Sequence, residues 1–430
     1  MLSNLDYLYN LKREGIKFDL DVMRGFAEMI GHPENKFKSF HITGSNGKGS
    51  TSEFIYSILR RRYSSGLYTS PHLIKFNERI IVNDEMIPDA YIDAFVDKYR
   101  QMIEDLARIN RNPTFFEVTT MMAFQYFSDM NAEYASVEVG LGGRLDATNI
   151  VTPLVSVITQ VGYEHADKLG CSLTSIAYEK GGIIKNGRPI VLQDQKPEVV
   201  KTIRSIAQVR NSRLIMLDPQ KIRNLSLSED GTVFDFEGLN GDYHLETSLI
   251  GEYQALNAAT AVLAIEASNV DVNKNEIEEG IKNARWPGRL EIISRNPLII
   301  IDAAHNPPAV NKMVSTFRKV FTKKPLIVAG ILSDKDSYAY FHVIRQISDS
   351  IIFTTPEEKE RAVDPKKLYD LYGHLFTDAR VLPDPIEAIN DAISRSDFIL
   401  VTGSIYLIGA IKEYLENKGR KLPVSSINSL

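Results

Sequence analysis

The stretch His41-Ile42-Thr43-Gly44-Ser45-Asn46-Gly47-Lys48-Gly49-Ser50-Thr51 decides how the rest of the chain is read. Phe37, Phe40 and Ile42 lead into it with the alternation of a strand, and Phe54, Ile55, Ile58 and Leu59 follow on one helical face. Strand, glycine turn, lysine, hydroxyls and helix is the layout of a phosphate-binding loop. Glycines let backbone N–H groups turn toward an anion, the helix N-terminus adds positive potential, and a lysine neutralises phosphate charge. A Ser or Thr hydroxyl then reaches a magnesium ion. The spacing departs from the common form. Only Ser45 and Asn46 separate Gly44 from Gly47-Lys48, and Gly49 intervenes before Ser50. On this stretch alone, a glycine-rich strand-to-helix turn with an exposed lysine stays open as an alternative.

Outward from the loop, short apolar runs alternate with helical patterns. Two short helices around Lys17-Phe18-Asp19 are expected before it. After it come a strand ending at Ser70-Pro71, an irregular or β excursion over Asn77–Ile87 and a helix over 89–110. A helix from Thr114, strands at Tyr134–Val139 and Val155–Thr159, a helix through Lys180 and a strand at Pro189–Leu192 follow. This alternation predicts a mostly parallel sheet covered on both faces. Residues 210–250 change character. Short β runs at Arg213–Met216, Thr232–Phe236 and Tyr243–Leu249, punctuated by Asp230-Gly231 and Asn240-Gly241, predict a small antiparallel appendage. A helix around Asn257–Ser268 closes the first domain, and Trp286-Pro287-Gly288 marks a boundary, dividing 1–287 from 288–430. Beyond it a second α/β alternation places strands at Leu298–Ile301, Leu326–Ala329, Ile351–Thr354 and Phe398–Thr402, with helices opening at Asn306-Pro307 and Asp384-Pro385.

Composition narrows the partners. The 430 residues are 43% hydrophobic and 24% charged, with a formal net charge of -5 from 50 Lys+Arg against 55 Asp+Glu. That balance carries no electrostatic footprint for nucleic acid and no polybasic patch for a membrane. Cys171 is the one cysteine, so no intrachain disulfide or cysteine metal cluster can form. The opening residues lack a basic stretch followed by an apolar core, and no apolar run approaches spanning length, so a cytoplasmic protein is expected.

In open parallel sheets, ligands collect outside the carboxyl ends of the strands. Lys48 and Ser50, Ser70, Glu138 and His165 all fall at such ends. In Ser136-Val137-Glu138-Val139 the valines face one way and Glu138 the other. A carboxylate in a strand buried on both sides costs several kcal/mol unless it is paired or bound to metal. A buried ion pair explains Glu138 as well as ligation does. Ser70, Glu138 and His165 together suggest a hard-cation site that suits Mg²⁺ or Mn²⁺ better than Zn²⁺. In the second domain Asp302 ends a strand three residues before His305, while Arg289, Lys180 and Lys335 read individually as surface or loop charges.

Taken together these residues resemble the folylpolyglutamate synthase / dihydrofolate synthase family of the muramyl-ligase-like superfamily. The resemblance rests on Thr43–Ser50, Thr69-Ser70-Pro71-His72, Asn77-Glu78-Arg79-Ile80 and Phe116-Glu117 with Thr120. It continues through the specific run Glu138–Asn149, His165 with Leu169-Gly170, Glu179–Ile183, Asn257-Ala258-Ala259, Pro287-Gly288-Arg289 and Asp302–Pro307. It implies a P-loop-type α/β domain followed by a Rossmann-like α/β domain. It also implies an ATP-dependent ligase that activates a pterin carboxylate as an acyl phosphate and joins it to L-glutamate. In that reading Gly44, Ser45, Asn46, Gly47, Lys48, Gly49, Ser50 and Thr51 bind ATP phosphates, and Asn257 contacts adenine. Ser50, Ser70 and Glu138 hold one Mg²⁺; His165 and a carbamylated Lys180 hold a second. Arg289, Asp302 and His305 come from the second domain to the nucleotide. Phe76, Arg79, Phe116, Met122 and Ser404 are candidates for the pterin pocket. The implied partners are dihydropteroate or a folate, L-glutamate and ATP, and the implied state is a monomer. A related ligase acting on another acid, or a nucleotide-binding scaffold, are the competing readings. Three departures stand out: Ser45 for threonine, Ala303 for a glycine, and Glu164 in place of the common aspartate before His165.

Overall fold

The structure is a computed structural model and describes residues 3–11, 20–108 and 112–420. The expected helix junction at Lys17–Asp19, and the last two residues of the helix expected over 89–110, lie outside the described residues. Two compact units emerge. Of the described residues, one takes those up to 226 with 233–248 and 253–285; the other takes 227–232, 249–252 and 286–420.

The first unit is built on eight strands: β1 (Lys38–Thr43), β2 (Ser65–Tyr68), β3 (Ile80–Val82), β4 (Glu85–Met86), β5 (Tyr134–Glu138), β6 (Val155–Ile158), β7 (Ile190–Leu192) and β8 (Leu214–Met216). Their order is β4-β3-β2-β5-β1-β6-β7-β8. From β2 to β8 every neighbour is parallel; β3 and β4 add an antiparallel edge. β1 therefore sits in the middle, with β5 and β6 on either side. The sequence assigns Arg213–Met216 to the appendage, and the structure corrects this: β8 pairs with β7 in the main sheet. A three-residue apolar run does not reveal which sheet it will join.

The appendage instead contains β9 (Ile222–Ser228), β10 (Gly231–Glu237) and β11 (Asp242–Thr247). β9 escapes the sequence reading because its residues are mostly exposed and its apolar alternation is confined to Leu225 and Leu227. The Lys274–Asn283 helix was likewise not anticipated.

The helix that follows the glycine loop, Lys48–Leu59, is buried from Ser50 to Leu59, not on one face alone. Gly280 permits this: a Cβ there would lie 2.5 Å from the Ile58 Cα, so the Lys274–Asn283 helix packs backbone to backbone. The Ser57 hydroxyl donates to the Gly280 carbonyl at 2.7 Å and seals the contact.

The second unit holds β12 (Glu291–Arg295), β13 (Leu298–Asp302), β14 (Leu326–Ala329), β15 (Ser350–Phe353), β16 (Asp378–Val381) and β17 (Phe398–Thr402) in the order β12-β13-β17-β14-β15-β16. Among the described residues only β12 is antiparallel in this sheet. The four strands expected from sequence are the buried inner ones; β12 and β16 are half-exposed edges with weaker apolar patterns. Among the described residues no helix is long and apolar enough to cross a membrane.

Candidate active site

The loop at the end of β1 is braced by the strand end beside it. Ser45 and Asn46 N–H donate to the Gln160 carbonyl at 2.7 and 3.3 Å, and the Thr159 hydroxyl donates to the Asn46 carbonyl at 2.8 Å. Those two loop N–H groups are therefore already spent. Gly47, at φ +90, caps the helix, and the first ladder bond runs from Thr51 N–H to the Gly47 carbonyl. The N–H groups of Lys48, Gly49 and Ser50 precede that rung and have no acceptor within the helix. Lys48 Nζ donates to the Gly44 carbonyl at 3.0 Å, folding the ammonium back over the loop. The Thr51 hydroxyl is buried and has no hydrogen-bond partner among the described residues.

Glu138 ends β5 opposite Ile42, two residues before the loop begins at Gly44. It is buried, and its Oε2 accepts the Ser70 N–H at 3.2 Å. The run after it folds on itself. Asp146 accepts the N–H groups of Leu141 and Thr148 at 2.9 and 3.0 Å and the Thr148 hydroxyl, which His41 Nε2 also meets at 2.8 Å. Arg144 pairs with Glu179 at 3.0 Å, and Asn149 donates to the carbonyls of Arg144 and Gly182. The Thr43 hydroxyl, on β1, donates to Gly142 at 2.6 Å. Much of the polar chemistry of Glu138–Asn149 thus goes into shaping the turn beyond the carboxylate.

Lys180 is fully buried and paired with Glu164 at 2.6 Å. The longer acid at 164 therefore reaches its partner. Burial first, and the Lys48 charge next, pull the Lys180 ammonium down to about 8, with Glu164 opposing. Burial works to raise the Glu164 carboxyl, but the Lys180 and Lys48 charges override it and leave it below the usual range. His165 has φ 44 and an exposed side chain. Among the described residues, no three His, Cys, Asp or Glu side chains gather as a metal cage. Ser50, Ser70 and Glu138 still suit Mg²⁺, which takes few protein ligands and completes its shell with phosphate and water. Lys180 as an ammonium does not suit a metal; only its deprotonated or carbamylated form does.

Asn257 lies against the loop: a Cβ on Gly47 would come 2.5 Å from its Oδ1. Its amide also joins Gln193 and Gln254, at 3.1 and 2.9 Å. Neither glutamine was singled out from sequence, because nothing local marks them.

In the second unit, Asp302 is buried at the end of β13 and accepts the N–H groups of Leu290 and Ala304 at 2.9 and 2.8 Å. Burial raises its carboxyl above the usual range, with Arg289 pulling the other way. His305 Nδ1 donates to the Ala303 carbonyl at 2.8 Å, leaving Nε2 as the acceptor. Burial, then the Lys335 and Arg289 charges, lower it to about 4, so the imidazole is neutral at pH 7. Lys335, read from sequence as solvated, is mostly covered and pairs with Asp334 at 2.9 Å. The backbone at Ala303 stays outside the left-handed region, so alanine there carries no strain.

Of the pterin-pocket candidates, Phe76, Phe116 and Met122 lie in or against one hydrophobic cluster, and the Arg79 guanidinium sits over the Phe76 ring. Met122 and Phe76 belong to the hydrophobic core, and Met122 exposes nothing. The Arg79 guanidinium donates to His72 Nδ1 at 2.8 Å and lies over Phe115. Phe116 lies against Gly140, where a Cβ would come 2.5 Å from its ring. Ser404, in the second unit, accepts the Tyr406 N–H at the start of the last helix.

Residues 42–265 match the Mur ligase middle domain, and residues 288–405 match the Mur ligase glutamate ligase domain. The class is thus a Mur-type ligase. The chain is 35% identical over 423 residues to the dihydrofolate synthase/folylpolyglutamate synthase of Bacillus subtilis (strain 168), covering 95% of this chain and 98% of that one. The solved folylpolyglutamate synthase of Thermotoga maritima aligns with a TM-score of 0.86 and 34% identity over 96% of each chain. That of Mycobacterium tuberculosis, solved with ADP and AMPPCP, aligns with a TM-score of 0.88 and 29% identity over 95% and 97% of the two chains. The chain belongs to the folylpolyglutamate synthase/dihydrofolate synthase family.

Proposed function

We propose that this chain is an ADP- and phosphate-forming ligase that uses ATP to join the carboxylate of dihydropteroate or a folate to the amine of L-glutamate. The observation that carries the reading is the loop itself: a lysine and helix N–H groups without an intrahelical acceptor, on the turn that follows β1, whose Ile42 lies opposite the buried Glu138 of the adjacent strand. Residues 1–287 serve ATP binding and 288–430 amide formation. The proposed working form is a cytoplasmic monomer.

A carboxylate oxygen attacks the γ-phosphorus of ATP, and the bond to the bridging oxygen breaks, releasing ADP and an acyl phosphate. The glutamate amine then attacks the acyl carbon, and phosphate leaves from the tetrahedral intermediate. Lys48 and the Lys48–Ser50 N–H groups hold the β- and γ-phosphates and take up their charge, and Asn257 meets the adenine. In the second unit, Arg289 offsets phosphate charge, and Asp302 holds the turn that carries His305. The neutral imidazole takes the proton the amine sheds. Ser50, Glu138 and Ser70 would hold one Mg²⁺ and His165 with modified Lys180 another, and the ions would neutralise phosphate charge. Pairing with Glu164 argues that Lys180 is an ammonium until it loses its proton, and only the free amine adds carbon dioxide.

Phosphate release with ATP, L-glutamate and a panel of acids including dihydropteroate and tetrahydrofolate tests the activity; no release with either pterin acid rejects it. Because the Lys180 value is lowered to about 8, the amine is free above that pH and protonated below it. Dependence on added bicarbonate should therefore deepen as pH falls from 9 to 7 in rate assays. A bicarbonate-independent rate with unmodified Lys180 by intact mass would exclude the carbamate.

A further inference from the structure

Gln193, Gln254, Asn257 and Thr260 are all buried, and their hydrogen bonds run in one direction. The Thr260 hydroxyl has a single proton and gives it to the Leu256 carbonyl at 2.6 Å. Toward Gln193 it can only accept. Gln193 must therefore turn its Nε2 to Thr260, at 3.2 Å, and the same Nε2 reaches Asn257 Oδ1 at 3.1 Å. Oδ1 is thereby fixed as the end of Asn257 that faces Gln193, and Nδ2 donates to Gln254 Oε1 at 2.9 Å. The relay ends on Gln254 Nε2, a buried donor with no partner among the described residues. Reversing Asn257 would set its N–H groups against those of Gln193, so Thr260 decides the direction of the whole relay.

Each polar atom of Asn257 keeps one valence: a second lone pair on Oδ1 and a second proton on Nδ2. An amide held this way accepts from an exocyclic amine and donates to a ring nitrogen, the pattern of adenine N6 and N7. A 6-oxo purine puts an acceptor where Oδ1 needs a donor. We propose that Gln193 and Thr260 are positioning residues that fix the Asn257 amide and so make this site select 6-amino over 6-oxo purine nucleotides. The inference rests on Asn257 meeting the base, as in the proposed function.

The test is calorimetric binding of ATP and inosine triphosphate, with magnesium, to the full chain and its variants. The wild type should prefer ATP by about tenfold or more. Thr260→Val, which removes the acceptor, and Gln193→Glu, which offers only acceptors, should erase most of that preference. Thr260→Ser should keep it. Equal wild-type affinities overturn the proposal without any variant. So does an unchanged ratio in Thr260→Val and Gln193→Glu with both nucleotides weakened alike, the result of a merely structural role. Discrimination that follows this pattern without phosphate release for any pterin acid would sustain the relay and reject the ligase reading.

Discussion

At the ends of β1 and β13 the chain makes the same move, from strand through a turn into a helix, and treats the first helical N–H groups in opposite ways. After β1, Gly47 caps the helix with no side-chain bond, and Lys48, Gly49 and Ser50 keep N–H groups that the ladder does not use. After β13, Pro307 and Pro308 have no N–H to offer, and the Ala309 N–H is taken by Asn306 Oδ1 at 2.9 Å. The Ala304 N–H is taken by Asp302. A helix N-terminus attracts anions through unspent donors as well as through its dipole, so of the two turns the first is the one that suits the phosphate role proposed for it. The second turn is self-satisfied, and in the proposed function it contributes through side chains: Asp302, His305 and the neighbouring Arg289.

Variants can break this contrast. The largest effect belongs to Lys48→Ala, which should lower turnover by about a hundredfold or more. Circular dichroism and denaturant melts should match wild type; retained turnover would remove the loop from the chemistry. Gly47→Ala should destabilise by about 2–4 kcal/mol, because φ +90 disfavours a Cβ and that Cβ would collide with Asn257. A shift in the urea midpoint measures it. In the second turn, Asn306→Ala should cost about 1 kcal/mol of stability and leave nucleotide affinity unchanged. A weaker ATP affinity in that variant would show that the second turn handles phosphate through its cap. Ala303→Gly should have the smallest effect, a loss of about 0.5–1 kcal/mol from added unfolded-state freedom. A gain in stability would mean that the turn needs the left-handed conformation after all.

How much of this was legible depended on range. The loop spacing, the strand-end positions of Glu138 and Asp302, and the caps at Asn306 and Asp384 are local, and each could be read from residues a few positions apart. β8 was misassigned because strand pairing is a choice among distant partners. The Glu164–Lys180 pair spans two short helices, and the direct Gln193–Asn257 bond joins a strand end to a helix 64 residues later. Phe76 and Met122 show the converse: both lie in a hydrophobic core cluster, a burial their local sequence does not reveal.

By itself, the sequence determined that a glycine turn at 44–47 would open a helix bearing Lys48, because backbone freedom and helix geometry are properties of neighbouring residues. It also determined two α/β alternations and the family's signature runs. Only tertiary structure decided which loop N–H groups remain unspent, that burial lowers Lys180 to about 8, that His305 stays neutral, and which way the Asn257 amide points. Those properties depend on desolvation and on donors brought in from far along the chain, and neither exists until the strands have chosen their neighbours.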